Sequence, residues 1–352
     1  MKITNKLISI IFIIVFIIVF TYYNFDEYRT FHQDIIQTEK SKIELLNKIE
    51  NFKIEDIKNI NNIEFYYTPN KELLTKIIDI INNSKKEIYL ETYMLTESRT
   101  QEAIIKAHKR WVKIQVILEK SPYMSYNINN KAYENLKKTW IEIVWSNKNN
   151  YSLNHSKVLL IDDLSIISTG NYTYSTFTNN RDFFIFTDDK NIRKALYENF
   201  LNDFVWKNIS IYDDNLIFSP SSSRIKFEKL FESANKDIKI YFQYLLDDSL
   251  FDKLVKLKTE KNLEVSIVLP ETAIDDENTK KAEKNWIKIS IMKKWTMHAK
   301  AILIDEKYLY IWSINFSLNS IDNNREIWIL CNNNKIINEF LSIFREDSKN
   351  DN

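Results

Sequence analysis

Histidine opens the same phrase twice in this chain. "HSKVLLID" starts at His155 and "HAKAILID" starts at His298, so His-x-Lys-x-x-x-x-Asp occurs twice among only four histidines. Read as a strand, His155 and Lys157 leave the same face, and so do His298 and Lys300. The runs Val158–Ile161 and Ala301–Ile304 are apolar throughout and end at Asp162 and Asp305. An asparagine follows each phrase, Asn171 in "STGN" and Asn315 in "WSIN", and an acid follows each asparagine, Asp182 in "NNRDFFIF" and Glu326 in "NNREIWIL". An imidazole can attack phosphorus or donate a proton. A lysine on the same face supplies positive charge to a phosphate oxygen, and an asparagine amide can donate to the same oxygens. A carboxylate can hold the second ring nitrogen and fix the tautomer. One copy is half a site. Two copies related by a pseudo-twofold place two imidazoles on opposite sides of one phosphorus, which is the geometry of in-line displacement.

The elements around the phrases repeat as well. "FYYTPNKELLTKIIDIINNSKKEIYLETYML" from Phe65 matches "LIFSPSSSRIKFEKLFESANKDIKIYFQYLL" from Leu216. In each, Pro69 or Pro220 precedes an amphipathic helical stretch, and an alternating strand follows. A charged helix leads to "VKIQVILE" or "LEVSIVLP", and a further helix to "WIEIVW" or "WIKISIM". Helices alternating with short apolar strands predict an α/β body of two homologous lobes packed about a pseudo-twofold. Copy one is expected over 59–206, copy two over 207–346, and 347–352 reads as a tail.

The beginning of the chain has a different character. Leu7–Tyr23 carries no charge, and as a helix it reaches about 26 Å, the short end of a membrane span. Bulky Tyr22, Tyr23 and Phe25 leave no small-residue cleavage site, so the segment 1–23 reads as an uncleaved anchor. Lys2 and Lys6 precede it while Asp26 and Glu27 follow, which places the amino end in the cytoplasm and the catalytic body outside. Residues 24–58 read as a charged helical stalk.

Composition narrows the classes. Formal net charge is +1, without the basic surplus of a general nucleic-acid binder. The single cysteine, Cys331, excludes an internal disulfide framework and reads as a core residue. No Cys/His spacing suits zinc, so no metal is expected. His32 and His108 read as surface residues, and "MKKWTMHAK" as a solvated loop that could attract phosphate.

The doubled phrase, each copy followed by an asparagine segment and an acid, resembles the phospholipase D superfamily, and most closely its bacterial membrane-associated, cardiolipin-synthase-like members. The resemblance covers nearly everything after residue 59. It implies one metal-independent site without a cofactor, built from His155, Lys157, Asp162 and His298, Lys300, Asp305. It further implies Asn171, Thr169, Asn315 and Ser313 as phosphate-binding, and Asp182 and Glu326 as acids that orient the histidines. By family precedent His155 attacks to form a phosphohistidine and His298 is the general acid. The motif aspartates look supportive. "STGN" departs from the family's Gly-Ser-x-Asn, and Asn171 lies one residue closer to its aspartate than Asn315 does. The implied substrate is a membrane phospholipid, hydrolysed or given a new headgroup by a chain that needs no second copy. An extracytoplasmic nuclease of the same superfamily and a silent phosphate-binding scaffold are the alternatives.

Glycine is the anomaly. The chain has one, against eight tryptophans, where ordinary composition gives about 25 glycines. Trp111, Trp140 and Trp286 each stand between a helical stretch and a strand, where a left-handed residue is usual. Trp312 and Trp328 stand where the family has glycine. These five, with Trp295, read as positions where a UGA codon meaning glycine has been translated as tryptophan. Trp145 and Trp206 end apolar runs and read as ordinary tryptophans. As a real tryptophan, Trp312 is expected to crowd the second half-site.

Overall fold

Period-two packing explains the apolar runs. The computed structural model describes residues 40, 43–207 and 211–349. Copy one contains β1 (Ile63–Tyr67), β2 (Glu87–Thr92), β3 (Lys113–Leu118), β4 (Glu142–Trp145), β5 (Lys157–Ile161), β6 (Leu164–Ser168), β7 (Asn180–Arg181) and β8 (Phe183–Thr187). Seven of them form one sheet in the order β1-β8-β6-β5-β2-β3-β4. Copy two contains β9 (Leu216–Ser219), β10 (Asp237–Tyr241), β11 (Leu245–Leu246), β12 (Glu264–Pro270), β13 (Lys288–Met292), β14 (Thr296–Met297), β15 (Ala301–Ile304), β16 (Tyr308–Trp312), β17 (Phe316–Ser317) and β18 (Glu326–Cys331). Its large sheet, β9-β18-β16-β15-β10-β12-β13, repeats the first strand for strand. In both, the helix-linked strands pair in parallel and the remainder antiparallel.

Along β5, Val158 and Leu160 face a core shared with Ala301 and Leu303 of β15. Leu159 and Ile161 face the helices of copy one, and Ile302 and Ile304 face those of copy two. The sheets therefore stack face to face with helices outside, and both faces of each motif strand are buried. The helix Lys71–Asn83 shows how the outer layer forms. Asn70 caps it by accepting the Leu73 N–H at 3.0 Å, and Leu73, Leu74, Ile77 and Ile81 line its buried face.

The one-residue offset of Asn171 is absorbed in a turn. Val158 pairs with Ile167 and Ala301 with Ile311, so Thr169 and Asn171 take the same places as Ser313 and Asn315. The extra residue of copy two lies beyond Asp305, where Glu306 also has a positive φ.

Two expected boundaries shift. Phe52, Ile54 and Ile57, read as stalk, pack into the core of copy two. Asp347, read as tail, ends the helix Asn334–Asp347 and is bound by Arg181. The expected anchor over 1–23 and His32 lie outside the described residues, and among those described no helix is long and apolar enough to cross a membrane.

The tryptophans divide into two groups. Trp111, Trp140 and Trp286 have φ of 69°, 64° and 57°, with rings 92%, 88% and 88% exposed. Trp206, read as ordinary, also has a left-handed φ of 61°. Trp312 and Trp328 instead sit in strands, buried and stacked at 4.9 Å. The Trp312 ring packs among Phe227 and Phe242 on the helix side of its sheet, so it does not crowd the half-site. Its Nε1 donates to the Ile314 carbonyl at 2.8 Å, as Ser168 Oγ donates to the Gly170 carbonyl at 2.8 Å in copy one.

Candidate active site

β5 and β15 begin at the same seam between the lobes, and each delivers a histidine and a lysine there. The acids arrive from the opposite lobe. His155 Nδ1 lies 2.9 Å from Glu326 Oε2, and His298 Nδ1 lies 2.8 Å from Asp182 Oδ1. Backbones cross in the same way: the His155 N–H donates to the Arg325 carbonyl at 2.8 Å, and the His298 N–H to the Arg181 carbonyl at 3.2 Å. Each imidazole thus has Nδ1 committed to an acid across the seam.

Lys157 Nζ donates to the His155 carbonyl at 2.6 Å, and Lys300 Nζ makes the matching bond to the His298 carbonyl at 2.5 Å. Both lysines are buried. Among the described residues neither ammonium has a carboxylate within ion-pair distance. Burial pushes the Lys157 amine well below its usual value and the Lys300 amine down to about 8. The side-chain oxygens of Asn171 and Asn315 are buried without a partner. Two buried lysine amines with no carboxylate beside them, flanking two imidazoles, make a site that lacks its anion.

Electrostatics separates the two histidines. Burial lowers His155 furthest, and Lys157, Lys300 and His298 add to it. Burial lowers His298 too, but the charge of Asp182 opposes it. Asp182 stays below the usual carboxylate range, since His298, Lys300 and Thr169 outweigh its burial. Burial pushes Glu326 up to about 8. Burial thus disfavours the proton on both imidazoles, more on His155, and at His298 the charge of Asp182 opposes it.

Several expected site residues do other work. The Thr169 hydroxyl donates to Asp182 Oδ1 at 2.6 Å, and Ser313 bonds Glu326 while accepting the Ile327 N–H at 3.3 Å. Both hold the acids rather than facing phosphate. Asp162 and Asp305 stand at the far ends of β5 and β15, about 17 Å from the lysines at strand rise. Asp162 accepts the N–H groups of Lys85, Lys86 and Glu87 at 2.8, 2.7 and 3.0 Å. Asp305 does the same for Asn235, Lys236 and Asp237. They pin the chain entering β2 and β10, at the strand ends away from the histidines. The single glycine lies at the site: a Cβ on Gly170 meets Thr176 Cγ2 at 2.6 Å and Asp182 Cγ at 3.0 Å.

Other contributors carried little signal in the sequence. Tyr93 lies edge-on to the His155 ring at 4.5 Å, and Lys157 Nζ sits 5.1 Å over it. Arg181 binds Asp347 through two bonds of 2.8 Å, and Arg325 binds Asp203 at 2.8 Å and Tyr151. Each arginine precedes an orienting acid and grips the last helix of the opposite lobe. The repeated "NNR" was the available clue. His108 is half-buried in the helix Ser98–Lys109, outside the site.

Comparison with known proteins agrees with this geometry. The family model described as "Cardiolipin synthase, PLD-like domain" matches residues 77–204 and 227–348. A phospholipase D of Rickettsia prowazekii is 24% identical over 143 residues, covering 40% of this chain and 67% of that protein. One of Rickettsia felis is 23% identical over 167 residues, covering 47% and 80%. Among solved structures, phosphatidylserine synthase of Haemophilus influenzae superposes with a TM-score of 0.69 at 13% identity, covering 89% of this chain and 91% of that one. Polyphosphate kinase of Porphyromonas gingivalis gives 0.66 at 15% identity over 83% of this chain, which spans only 48% of that one. At these identities the structural matches speak for the fold.

Proposed function

This chain belongs to the cardiolipin synthase, PLD-like domain family, and on that premise we propose that it is a phospholipase D-type phosphodiesterase acting on membrane phospholipids through a phosphohistidine. The observation that carries the reading is the anion-deficient seam: Lys157 and Lys300, buried and among the described residues without carboxylate partners, beside two imidazoles fixed by acids of the opposite lobe.

In this reading the phosphodiester enters between the lysines, and Asn171 and Asn315 donate to its oxygens. His155 attacks through Nε2 while Glu326, ionised for this step, accepts its Nδ1 proton; the N–P bond forms as the bond to the leaving oxygen breaks. His298 gives that oxygen a proton, aided by the anion in the pocket and by ionised Asp182. Water or an alcohol then attacks phosphorus, His298 takes its proton, and the N–P bond breaks. The first headgroup leaves as its alcohol; water then yields phosphatidic acid, and a lipid alcohol takes the phosphatidyl group and becomes its new headgroup. One chain supplies both halves, and the apolar segment 7–23 holds it at the membrane with the body outside.

The test is turnover of labelled phospholipid, with DNA as a parallel substrate. His155→Ala and His298→Ala are each expected to abolish lipid turnover, and labelled phosphate trapped on the parent is expected to map to His155. Full turnover in either variant, or DNA cutting without lipid turnover, refutes the proposal.

A further inference from the structure

The loop that closes β3 carries an apolar group in full view of solvent. In Lys120–Asn129, Tyr123, Met124 and Tyr126 are 69%, 79% and 69% exposed, and Ile128 is exposed beside them. The loop is tied down at both ends. Asn129, buried, donates to the carbonyls of Tyr93 and Glu119 at 2.7 and 2.8 Å and accepts the Leu95 N–H at 3.0 Å. The Tyr123 N–H donates to the Tyr93 hydroxyl at 2.5 Å. Through Tyr93 the loop rests on the ring that meets His155 edge-on. In copy two, the exposed Leu246 lies in β11, which follows β10 and pairs with β17, and the exposed Leu318 comes directly after β17. The opposite ends of β3, β4 and β13 carry the exposed Trp111, Trp140 and Trp286, each a single residue at a helix end rather than an apolar loop.

Resting on the phospholipid reading, we propose that this rim is the surface that seats the body on a lipid bilayer, with Tyr123, Met124, Tyr126 and Ile128 entering the headgroup layer. Tyrosine suits such a position, with an apolar ring and a polar tip. Met and Ile supply apolar area to the acyl boundary. Lys120 on this loop and Lys293 after β13, both exposed, add attraction for anionic headgroups. A bilayer is the occupant that the phospholipid reading requires, and Tyr93 ties this rim to the His155 ring.

The experiment uses the full chain in vesicles of phosphatidylcholine and phosphatidylglycerol. Met124→Ser/Tyr126→Ser/Ile128→Ser is compared with the parent on vesicle phospholipid and on bis(p-nitrophenyl) phosphate in solution. The expected result is a fall of about tenfold on vesicles with the soluble rate unchanged. A label at Met124→Cys is expected to be quenched by brominated lipid, and one at Lys261→Cys is not. An unchanged vesicle rate, an equal fall on both substrates, or no quenching overturns the proposal. A parent that cleaves the soluble diester and never the vesicle lipid overturns the phospholipid reading itself. DNA cutting that falls with the variant assigns the loop to nucleic acid and also overturns it.

A separate observation carries a second inference. After three helices the chain closes a bond from the following residue back five positions: Val112 N–H to Ala107 at 3.3 Å, Lys207 to Asn202 at 2.8 Å and Ile287 to Ala282 at 3.0 Å. This is the Schellman ending, whose left-handed residue is usually glycine. Here Trp111, Trp206 and Trp286 hold it, while copy two uses Asn262 with φ 55° where copy one has Trp111. Trp140 has the same backbone at φ 64°. From four left-handed tryptophans in a chain with one glycine, we infer that the source cell reads these four codons as glycine. UGA at the four positions is the expected result, together with an intact mass below that of the eight-tryptophan chain. UGG at those positions overturns the inference.

Discussion

Trp111→Gly/Trp140→Gly/Trp286→Gly is expected to make the protein more stable, although it removes three of the largest side chains. A residue with a Cβ in the left-handed region costs about 1–2 kcal/mol. Glycine gives back about 0.5–1 kcal/mol through the freedom it adds to the unfolded chain. The rings are 92%, 88% and 88% exposed, so almost no buried apolar area is lost with them. The net is about 0.5–1 kcal/mol at each position and about 2 kcal/mol for three sites with no shared partner. Urea unfolding followed by circular dichroism reads this as a higher midpoint at unchanged slope. Trp145→Gly is the counter-control. That ring stacks on Tyr133 at 3.9 Å with planes 8° apart, so its loss is expected to destabilise by about 3 kcal/mol. A triple variant no more stable than the parent refutes the argument from backbone conformation.

Removing Arg325 by substitution with Met is expected to cost about 3–5 kcal/mol, because Asp203 is left charged and buried. Arg325→Met/Asp203→Leu is expected to recover most of it, measured by the same unfolding curves. Inorganic phosphate is expected to raise the melting temperature of the parent, and Lys157→Met/Lys300→Met to lose that rise in differential scanning fluorimetry. Glu326 moves from 4.5 to about 8 on folding, so the folded state holds a proton that the unfolded state has released. Its contribution is present below about 4.5 and is lost as pH climbs towards about 8. Glu326→Gln is expected to flatten the fall in stability across that window. Lys300 behaves oppositely: its cation is disfavoured by burial, so stability is regained as pH rises from about 8 towards 10.5.

The two His-x-Lys phrases, their asparagines and their acids were legible because strand periodicity is local. Two residues apart on a strand means one face, whatever lies beyond it. The duplication was legible for the same reason, since each lobe repeats its own sequence of apolar runs and junctions. Asp162 and Asp305 were harder: the phrase binds them to the histidines in sequence, while an extended strand carries them to its other end. Thr169 and Ser313 stood beside the asparagines but turn behind the sheet to the acids. That Asp182 serves His298 and Glu326 serves His155, that Arg181 reaches Asp347, and that Tyr93 backs His155 came from stacking two sheets through a common core. A chain's own periodicity says which way a side chain leaves its strand. What it meets there is set by long-range burial of apolar faces, which brings together residues more than a hundred positions apart and leaves no local pattern to mark them.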